Sequence, residues 1–330
     1  MRFIQICIYF CALSLFAQQP NKLGFETKIS SYISSEEELP FWFTASDYGT
    51  VPNQNNGLAY FSLYSEKEVN PSKLSFNYKI ATTGFVTENK NDVFINELYG
   101  SFHYKNWELI IGSQNDKMVL EGLSSSNGNI VKSINARAYP GIKLQTNGYL
   151  KLPFAKKWLS VSGYYADYIL NDKRVIDNTK LHTKRLYFKS KLSEKLDLIT
   201  GLTHYAQWGG TSPEYGKQPQ TFKDYLRVVT GSSGDANATI GDQMNALGNQ
   251  LGSYRLALHY NGLNTNWKFY YSHLFEDASG REMQNWRDGL YGLFIDFKQP
   301  QSLVSHVLTE FTHTKHMSGS NAPDDADGGR

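Results

Sequence analysis

The chain is almost free of cysteine. Its only two cysteines, Cys7 and Cys11, both lie in the opening stretch MRFIQICIYFCALSLFAQQP. The rest of the chain has no thiol, so neither disulfides nor cysteine-ligated metals can help its fold. This absence excludes the disulfide-stapled and the cysteine–metal classes of small exported protein.

Long apolar runs and an excess of charge of one sign are also missing. After residue 17 no apolar run approaches the roughly 18 residues that indicate a transmembrane helix. The formal net charge is only +2, so no strong field would steer nucleic acid or acidic partners to the surface. We therefore expect no nucleic-acid partner.

The opening stretch predicts a secretory signal peptide. Arg2 precedes a short apolar run that ends in the small residue Ala17, the pattern expected for cleavage after that alanine. The predicted organisation is thus a signal peptide over residues 1–17 and a single domain over residues 18–330.

Aromatic residues are plentiful in the chain and proline is scarce. They make up 14% of the chain, with 22 tyrosines and 19 phenylalanines against 10 prolines. Apolar and polar residues alternate in many segments, and a period of two predicts strands with one apolar face. The predicted strands cover residues 22–34, 57–66, 74–85, 93–104, 107–113, 142–150, 158–169, 184–191, 196–208, 252–261, 267–276, 289–298 and 303–314. An exported, tyrosine-rich, β-patterned chain is either an outer-membrane barrel or a secreted all-β protein.

The connections between these strands alternate between short and long. The long ones lie near residues 35–56, 86–92, 114–141, 170–183, 209–251, 277–288 and from 315 onward. Short periplasmic turns that alternate with long extracellular loops are the layout of an outer-membrane barrel. The predicted fold class is therefore all-β, an antiparallel up-and-down transmembrane β-barrel of the bacterial outer membrane.

The strand count suggests that the barrel is incomplete at the C-terminus. Bacterial barrels have an even number of strands. The thirteenth predicted strand ends on the outer side, and the polar tail NAPDDADGGR follows it. We expect further strands to be needed for closure.

The segment 196–208 illustrates the expected faces. Its apolar set, including Leu198 and Leu202, is predicted to face lipid, whereas Thr203 and Tyr205 (with Gln207) face a polar interior. Trp208 would lie in the outer aromatic girdle and act as a membrane-interface anchor. Beyond it, FKDYLRVV (222–229) predicts a short amphipathic helix whose Leu226 and Val229 face inward.

Motifs for catalysis and metal binding are weak. His313 and His316 are three residues apart, which places them on opposite faces of a strand and makes them a poor metal pair. An acidic group near the end, which includes Asp324, lacks the bidentate acid of a calcium loop. GSSGD at 231–235 lacks the spacing of a nucleophile elbow, and no glycine-rich phosphate loop is present. We expect no enzyme, no metal and no cofactor.

The long connections instead hold aromatic and hydrogen-bonding side chains. Sugars are bound by such groups, because a pyranose stacks its C–H face on an aromatic ring while polar groups take its hydroxyls. The alternative reading is that these aromatics are girdle anchors or loop-packing residues. The candidate carbohydrate-binding residues are Tyr215, Lys217, Tyr225, Arg227, Arg281 and Trp286.

Several segments resemble the capsule-assembly Wzi family of outer-membrane proteins. They are FWFTASDYGTVP (41–52), LPFAKKWLSVSGYYADY (152–168), THYAQWGGTSPEYGKQP (203–219), GDQMNALGNQLGSY (241–254), FEDASG (275–280), DGLYGL (288–293) and EFTHTKHMSG (310–319). The resemblance implies a monomeric barrel that binds capsular polysaccharide, helps to attach it to the cell surface and has no enzymatic activity. The sequence departs from the enterobacterial members of that family in one respect. Those members have a periplasmic helical bundle before the barrel, whereas here Gln18 leads almost directly into a strand.

Two main functions remain open at this point, and a third, an outer-membrane hydrolase, would need a Ser/His/Asp cluster at the rim that the sequence does not supply. The first is a surface polysaccharide-binding barrel, with outer-membrane lipid as its other partner. The alternative is an outer-membrane diffusion channel or transporter, because a barrel of this size could hold water. The two differ in whether the 114–141 and 209–251 segments fold inward or over the top to close the interior.

Overall fold

The computed structural model describes residues 22–66, 74–155, 158–276, 278–298 and 303–316. The strands in these ranges are β1 (Lys22–Tyr32), β2 (Asn56–Glu66), β3 (Ser75–Thr87), β4 (Asn91–Tyr104), β5 (Trp107–Ser113), β6 (Pro140–Thr146), β7 (Leu150–Lys151), β8 (Leu159–Ile169), β9 (Lys180–Lys191), β10 (Leu196–Trp208), β11 (Thr211–Ser212), β12 (Gly216–Lys217), β13 (Asn249–Asn261), β14 (Thr265–Phe275), β15 (Gly289–Phe297) and β16 (His306–His313). Short α-helices lie in the connections: α1 (Phe41–Thr44), α2 (Phe222–Thr230), α3 (Ile240–Met244) and α4 (Ala278–Arg281). The predicted signal peptide and the acidic tail containing Asp324 lie outside the described residues.

The strands form an antiparallel up-and-down sheet, which confirms the predicted fold class. The sheet is 14-stranded, in the order β1-β2-β3-β4-β5-β6-β8-β9-β10-β13-β14-β15-β16, and β7 pairs with β8 beside that path. β11 and β12 form a separate two-stranded hairpin. Within the described residues the end strands β1 and β16 do not pair with each other, so the sheet is not closed.

The two faces of the sheet differ in chemistry. Large apolar side chains are exposed on one face, which we call the outer face, and they include Phe25, Ile29, Phe61, Ile80, Leu186, Leu256, Phe269 and Phe311. Small polar side chains are buried on the other, inner face, and they include Ser62, Ser101, Thr183, Thr203, Ser253 and Ser272. An apolar outer face around a polar interior is the arrangement of a transmembrane barrel. No helix in the described part of the chain is long and apolar enough to cross a membrane.

Some strand bounds differ from those predicted. β9 begins at Lys180 and β13 at Asn249, in each case a few residues before the predicted start. The strands extend this far because polar outward side chains at these ends, such as His182, are covered by protein. The predicted strand over 142–150 is two strands, β6 and β7. The chain turns between them at Gly148, where φ is +74°.

Short and long connections alternate as predicted, with one exception. One end of the sheet, the loop end, has the connections 33–55, 88–90, 114–139, 170–179, 209–248 and 276–288, and the other, the turn end, has short turns such as 105–106, 192–195 and 262–264. The exception is the predicted long link at 86–92. It is a tight turn over 88–90, in which Thr87 N donates to Lys90 O over 2.7 Å.

The 114–139 connection folds inward against the inner face. We call it the inner segment. Asn129 Nδ2 donates to the Tyr205 hydroxyl on β10 (3.1 Å), and Arg255 on β13 donates to Gly128 O (2.8 Å). Leu120 and Ile130 pack on the inward apolar cluster of Ile199, Ala257, Tyr270 and Leu290.

The inner segment is also fixed to the last described strand. Ser124 and Ser126 donate to the two carboxylate oxygens of Glu310 on β16, over 2.8 and 2.9 Å, and the Tyr270 hydroxyl donates to the same carboxylate over 2.5 Å. Three donors on one carboxylate make this contact a strong one. The segment therefore spans the concave side of the sheet from β5 to β16.

An ion pair within the inner segment stabilises its fold. Lys132 pairs with Asp116, and Lys143 Nζ lies 3.9 Å from the same carboxylate. Burial raises the pKa of Asp116, but the two ammonium groups outweigh it and hold this pKa below its ordinary value. The aspartate is therefore ionised where it lies.

The 209–248 connection folds in the opposite direction and lies on the outer face. Residues directly opposite on neighbouring strands share a face of the sheet. Ile111 and Ile142 are opposite each other and point outward. The same row continues across the next strands through Asp167, His182, Ala206 and Gln250, so these residues point outward as well. Helix α2 covers this row. The predicted helix is confirmed, but the inward position predicted for Leu226 is wrong, since this residue is 49% exposed. Val229, the other residue predicted to face inward, is half-buried, and Val228 is fully buried.

Candidate functional site

A cavity of about 470 Å³ opens at the loop end, where the 170–179 and 209–248 connections meet the ends of β10 and β13. The apolar part of its lining is Val175, Ile176, Trp208, Pro219 and Leu247, and the polar part includes Arg174, Thr179, Gln207, Gln218, Asp242 and Asn249. Pockets for small ligands have volumes of about 300–1,000 Å³ and combine an apolar wall with a few polar groups. The cavity therefore has the size and the chemistry of a ligand site.

Two glycines at the exit of β10 bring its walls together. Gly209 and Gly210 have φ values of +64° and +86°, in the left-handed region that glycine adopts without steric cost. A Cβ atom on Gly210 would lie only 2.6 Å from the carbonyl oxygen of Asp177. Thr211 and Asp177 then exchange two backbone hydrogen bonds, of 2.9 and 3.1 Å. The 170–179 connection is thereby fastened to the end of β10.

Trp208 supplies the largest apolar side chain of the cavity wall. It lies on the outer face, in register with Ile169 and Lys180. It is only 8% exposed, because Val228 and Leu247 pack against it. Its contacts are therefore with protein and not with lipid, and the anchor role predicted for it stays a prediction.

Helix α2 holds this packing in place because both of its ends are fixed. Thr221 and Asp224 form a capping box, in which Thr221 N donates to Asp224 Oδ2 over 2.9 Å and Asp224 N donates to Thr221 Oγ1 over 3.3 Å. Gly231, with φ +67°, ends the helix in the left-handed conformation. Lys184 donates to Val229 O near that end, where a cation also interacts favourably with the helix dipole.

Two of the predicted sugar-binding residues lie in α2 and are engaged in loop structure. The Tyr225 hydroxyl contacts Asp167 Oδ2 over 2.7 Å and the Tyr165 hydroxyl over 2.5 Å. Burial and these two partners raise the pKa of Tyr225 far above its usual value. Arg227 pairs with Asp235. Both side chains hold α2 in position.

Two more of the predicted residues lie in the β11–β12 hairpin, where their side chains are exposed. Tyr215 is 65% exposed, and Lys217 is exposed beside it. The adjoining carboxylate of Glu214 raises the pKa of the Tyr215 hydroxyl. The hairpin starts directly after Gly210, so these side chains are close in sequence to residues of the cavity wall but do not line the cavity themselves.

The last two predicted residues belong to the 276–288 connection, which is also folded against the outer face. His273 on β14 is fully buried and contacts Gly280 O and Asp288 O over 2.9 and 3.0 Å. Trp286 is 57% exposed, and Arg281 is exposed. The six candidates therefore lie in three separate places and do not form one site.

The polar residues of the cavity were missed by the sequence reading. Gln207 shares the inward register of Thr203 and Tyr205, as expected, and it also lines the cavity at the end of β10. Gln218 and Asn249 stand next to Pro219 and Gly248 in segments of no regular period. The signal that could have found them is the grouping of amides around glycine and tryptophan in AQWGG and GNQLG.

An aspartate–histidine pair lies beneath α2, with its histidine buried and its aspartate partly exposed. Asp167 Oδ1 and His182 Nδ1 are 2.9 Å apart, and His182 is fully buried. The rings of Tyr165 and Tyr225 lie 4.6 and 5.9 Å from the imidazole. In this arrangement the pair helps to hold the helix against the outer face, because the Tyr225 hydroxyl also contacts Asp167.

A family model for the capsule assembly protein Wzi matches residues 28–325 of the chain. The chain belongs to the Wzi family. This confirms the resemblance seen in the sequence, and the match spans every described strand from the middle of β1 onward. No curated protein matches the chain.

Solved structures to which the chain is similar include a Wzi protein and porins. The Wzi of Escherichia coli, an outer-membrane protein involved in group 1 capsule assembly and described as a carbohydrate-binding β-barrel, is 14% identical, with 89% of this chain covered and a TM-score of 0.49. Salmonella typhi OmpF is 7% identical over 88% of this chain and 90% of its own, with a TM-score of 0.37. A Rh. blastica porin mutant is 10% identical over 79% and 90%, with a TM-score of 0.31. The chain spans 56% of the length of the E. coli Wzi protein.

Proposed function

We propose that this Wzi-family chain is a non-enzymatic outer-membrane protein that binds capsular or other surface polysaccharide and helps to hold it at the cell surface. The observation that supports this most is the cavity at the loop end, with Trp208 in its wall and amide groups of Gln207, Gln218 and Asn249 around it. Apolar surface suits the C–H face of a sugar ring, and amides donate to and accept from its hydroxyls.

The placement of the protein follows from its outer face. Side chains such as Phe269 and Leu256 are exposed there, and in a transmembrane barrel these are in contact with lipid. The loop end is then the extracellular end, because long loops lie outside the cell. Export through a cleaved signal peptide over residues 1–17 and a monomeric state complete the proposal.

The inner segment favours this function over a diffusion channel. Its contacts with Tyr205, Arg255 and Glu310 place it across the concave side of the sheet. A chain segment fixed at three strands occupies the space that water and solutes would need. The 209–248 connection contributes nothing to this closure, since it lies on the outer face.

Capsule retention on whole cells tests the proposal. The double variant Gln207→Ala/Gln218→Ala removes two amides from the cavity, and Gln54→Ala removes an exposed amide from another connection at the same end. We expect the double variant to release capsule into the medium while Gln54→Ala retains it, with equal amounts of folded protein in the membrane. Retention by the double variant equal to that of the unmodified protein would contradict the assignment of this cavity.

A further inference from the structure

The two helices of the 209–248 connection leave large apolar side chains exposed. In α2, Phe222 and Leu226 are one helical turn apart and are 74% and 49% exposed. In α3, Ile240 and Met244 have the same spacing and are 76% and 78% exposed. Residues four apart lie on the same face of a helix, so each helix presents an apolar stripe.

The opposite side of α2 is fixed against the outer face of the sheet. Val228 is fully buried with Trp208, the Tyr225 hydroxyl contacts Asp167, and Lys184 donates to Val229 O. The exposed stripe therefore cannot turn inward to bury itself without losing these contacts. The stripe therefore faces the medium that surrounds the sheet at the level of α2.

The apolar belt of the sheet begins directly below the helix. The outward residues covered by α2 on β9 are His182 and Lys184, and the next outward residue towards the turn end is Leu186, which is 48% exposed. Phe188 follows it and is 36% exposed. The stripe on α2 is thus continuous with the surface that contacts lipid in a transmembrane barrel.

The polar residues under α2 explain why a helix is needed there. Asp167, His182 and Lys184 point outward at positions that adjoin the lipid, and charged side chains on the lipid face of a barrel are destabilising. Helix α2 buries His182, contacts the other two through the Tyr225 hydroxyl and Val229 O, and offers its own amphipathic surface in their place. Lys223, whose ammonium group is paired with Asp235 and well exposed, follows Phe222 of the apolar stripe in sequence.

From this geometry we infer that α2 and α3 lie in the outer leaflet of the membrane, with Phe222, Leu226, Ile240 and Met244 inserted among its acyl chains. This interfacial position is that of an amphipathic helix with aromatic and aliphatic residues on one side and lysine on the other. The inference rests on the proposed membrane location. It separates the 209–248 connection into a membrane-bound part, α2 and α3, and a free hairpin with Tyr215.

Quenching by brominated lipid tests this inference on the full chain. Cys7 and Cys11 are its only cysteines and both lie in the proposed signal peptide, so a single introduced cysteine of the exported chain can be labelled with an environment-sensitive fluorophore. The labelled variants are Leu226→Cys in α2, Met244→Cys in α3, Leu256→Cys on the outer face and Tyr215→Cys in the hairpin. Each replaces an exposed side chain, so folding is preserved.

We expect bilayers with brominated acyl chains to reduce the fluorescence at Leu226 and Met244 nearly as much as at Leu256, while Tyr215 keeps its signal. A loss at Leu226 and Met244 no larger than at Tyr215 would overturn the inference but leave the membrane location intact. Absence of quenching at Leu256 itself would contradict the membrane location, and the inference with it. The two failures are therefore distinguishable.

Discussion

At the residue scale, Trp208 and Tyr215 stand seven residues apart and have opposite environments. Trp208 is packed beneath α2, whereas Tyr215 is largely exposed in the hairpin. Both come from the same aromatic-rich stretch, THYAQWGGTSPEYGKQP. The left-handed glycines between them end the strand register, so the constraint that buries the first ring does not reach the second.

We expect Trp208→Ala and Tyr215→Ala to fail in different ways. Removal of a buried tryptophan costs about 3–5 kcal/mol, so Trp208→Ala should lower the free energy of unfolding by that amount in a urea titration in micelles. Tyr215→Ala should leave this free energy unchanged and weaken polysaccharide retention on cells. Trp208→Phe, which keeps an aromatic ring, is the matched control. A stable Trp208→Ala protein that still releases capsule would show that the ring serves binding and not packing.

The sequence could predict the face of Trp208 but not what covers it. A period of two over 196–208 assigns Thr203 and Tyr205 to the inner face, and the structure agrees. The cover depends on residues far along the chain, Val228 and Leu247, which meet Trp208 only after the connection has folded back. Alternation in one strand contains no information about such a contact.

At the element scale, the two longest connections fold in opposite directions. The inner segment lies against the inner face, and α2 lies against the outer face. Each direction has a local cause: the inner segment meets polar partners such as Glu310, whereas α2 covers the outward polar side chains Asp167, His182 and Lys184. Those polar side chains come from two neighbouring strands. A reading of one strand at a time cannot distinguish them from residues that face the interior.

We expect the attachment of the segment around α2 to loosen in strong acid. The hydrogen bond from Arg227, with the neighbouring Lys223, lowers the pKa of Asp235 from 3.8 to about 2. A depressed carboxyl pKa in the folded state stabilises that state above the unfolded value, and this contribution is lost as the pH falls through about 2. A fluorophore at Leu226→Cys should therefore report a change between about pH 4 and pH 2.

The control for this titration is Asp235→Asn. It removes the ionisable group but keeps the size of the side chain, so the fluorophore should report the loosened state at every pH and show no step. An unchanged step in Asp235→Asn would assign the transition to another carboxylate.

At the scale of the whole molecule, the inner segment occupies the space on the inner side of the sheet. We expect the protein in planar bilayers to pass no steady current. Glu310→Ala removes the acceptor of Ser124, Ser126 and Tyr270, so this variant should show intermittent conductance as the inner segment detaches. Glu282→Ala, a change in an exposed carboxylate of the 276–288 connection, should stay silent. A large steady current through the unmodified protein would restore the channel as the better function.

The central claim is that the cavity between the 170–179, 209–219 and 242–249 stretches binds surface polysaccharide. The most direct test is an array of bacterial capsular and surface glycans probed with refolded full-length protein, beside Gln207→Ala/Gln218→Ala and Gln54→Ala. The account predicts that the unmodified protein and Gln54→Ala bind the same glycans, and that the double variant loses at least tenfold in affinity, which corresponds to about 1.4 kcal/mol. A blank array with folded protein, or equal binding by the double variant, would contradict it.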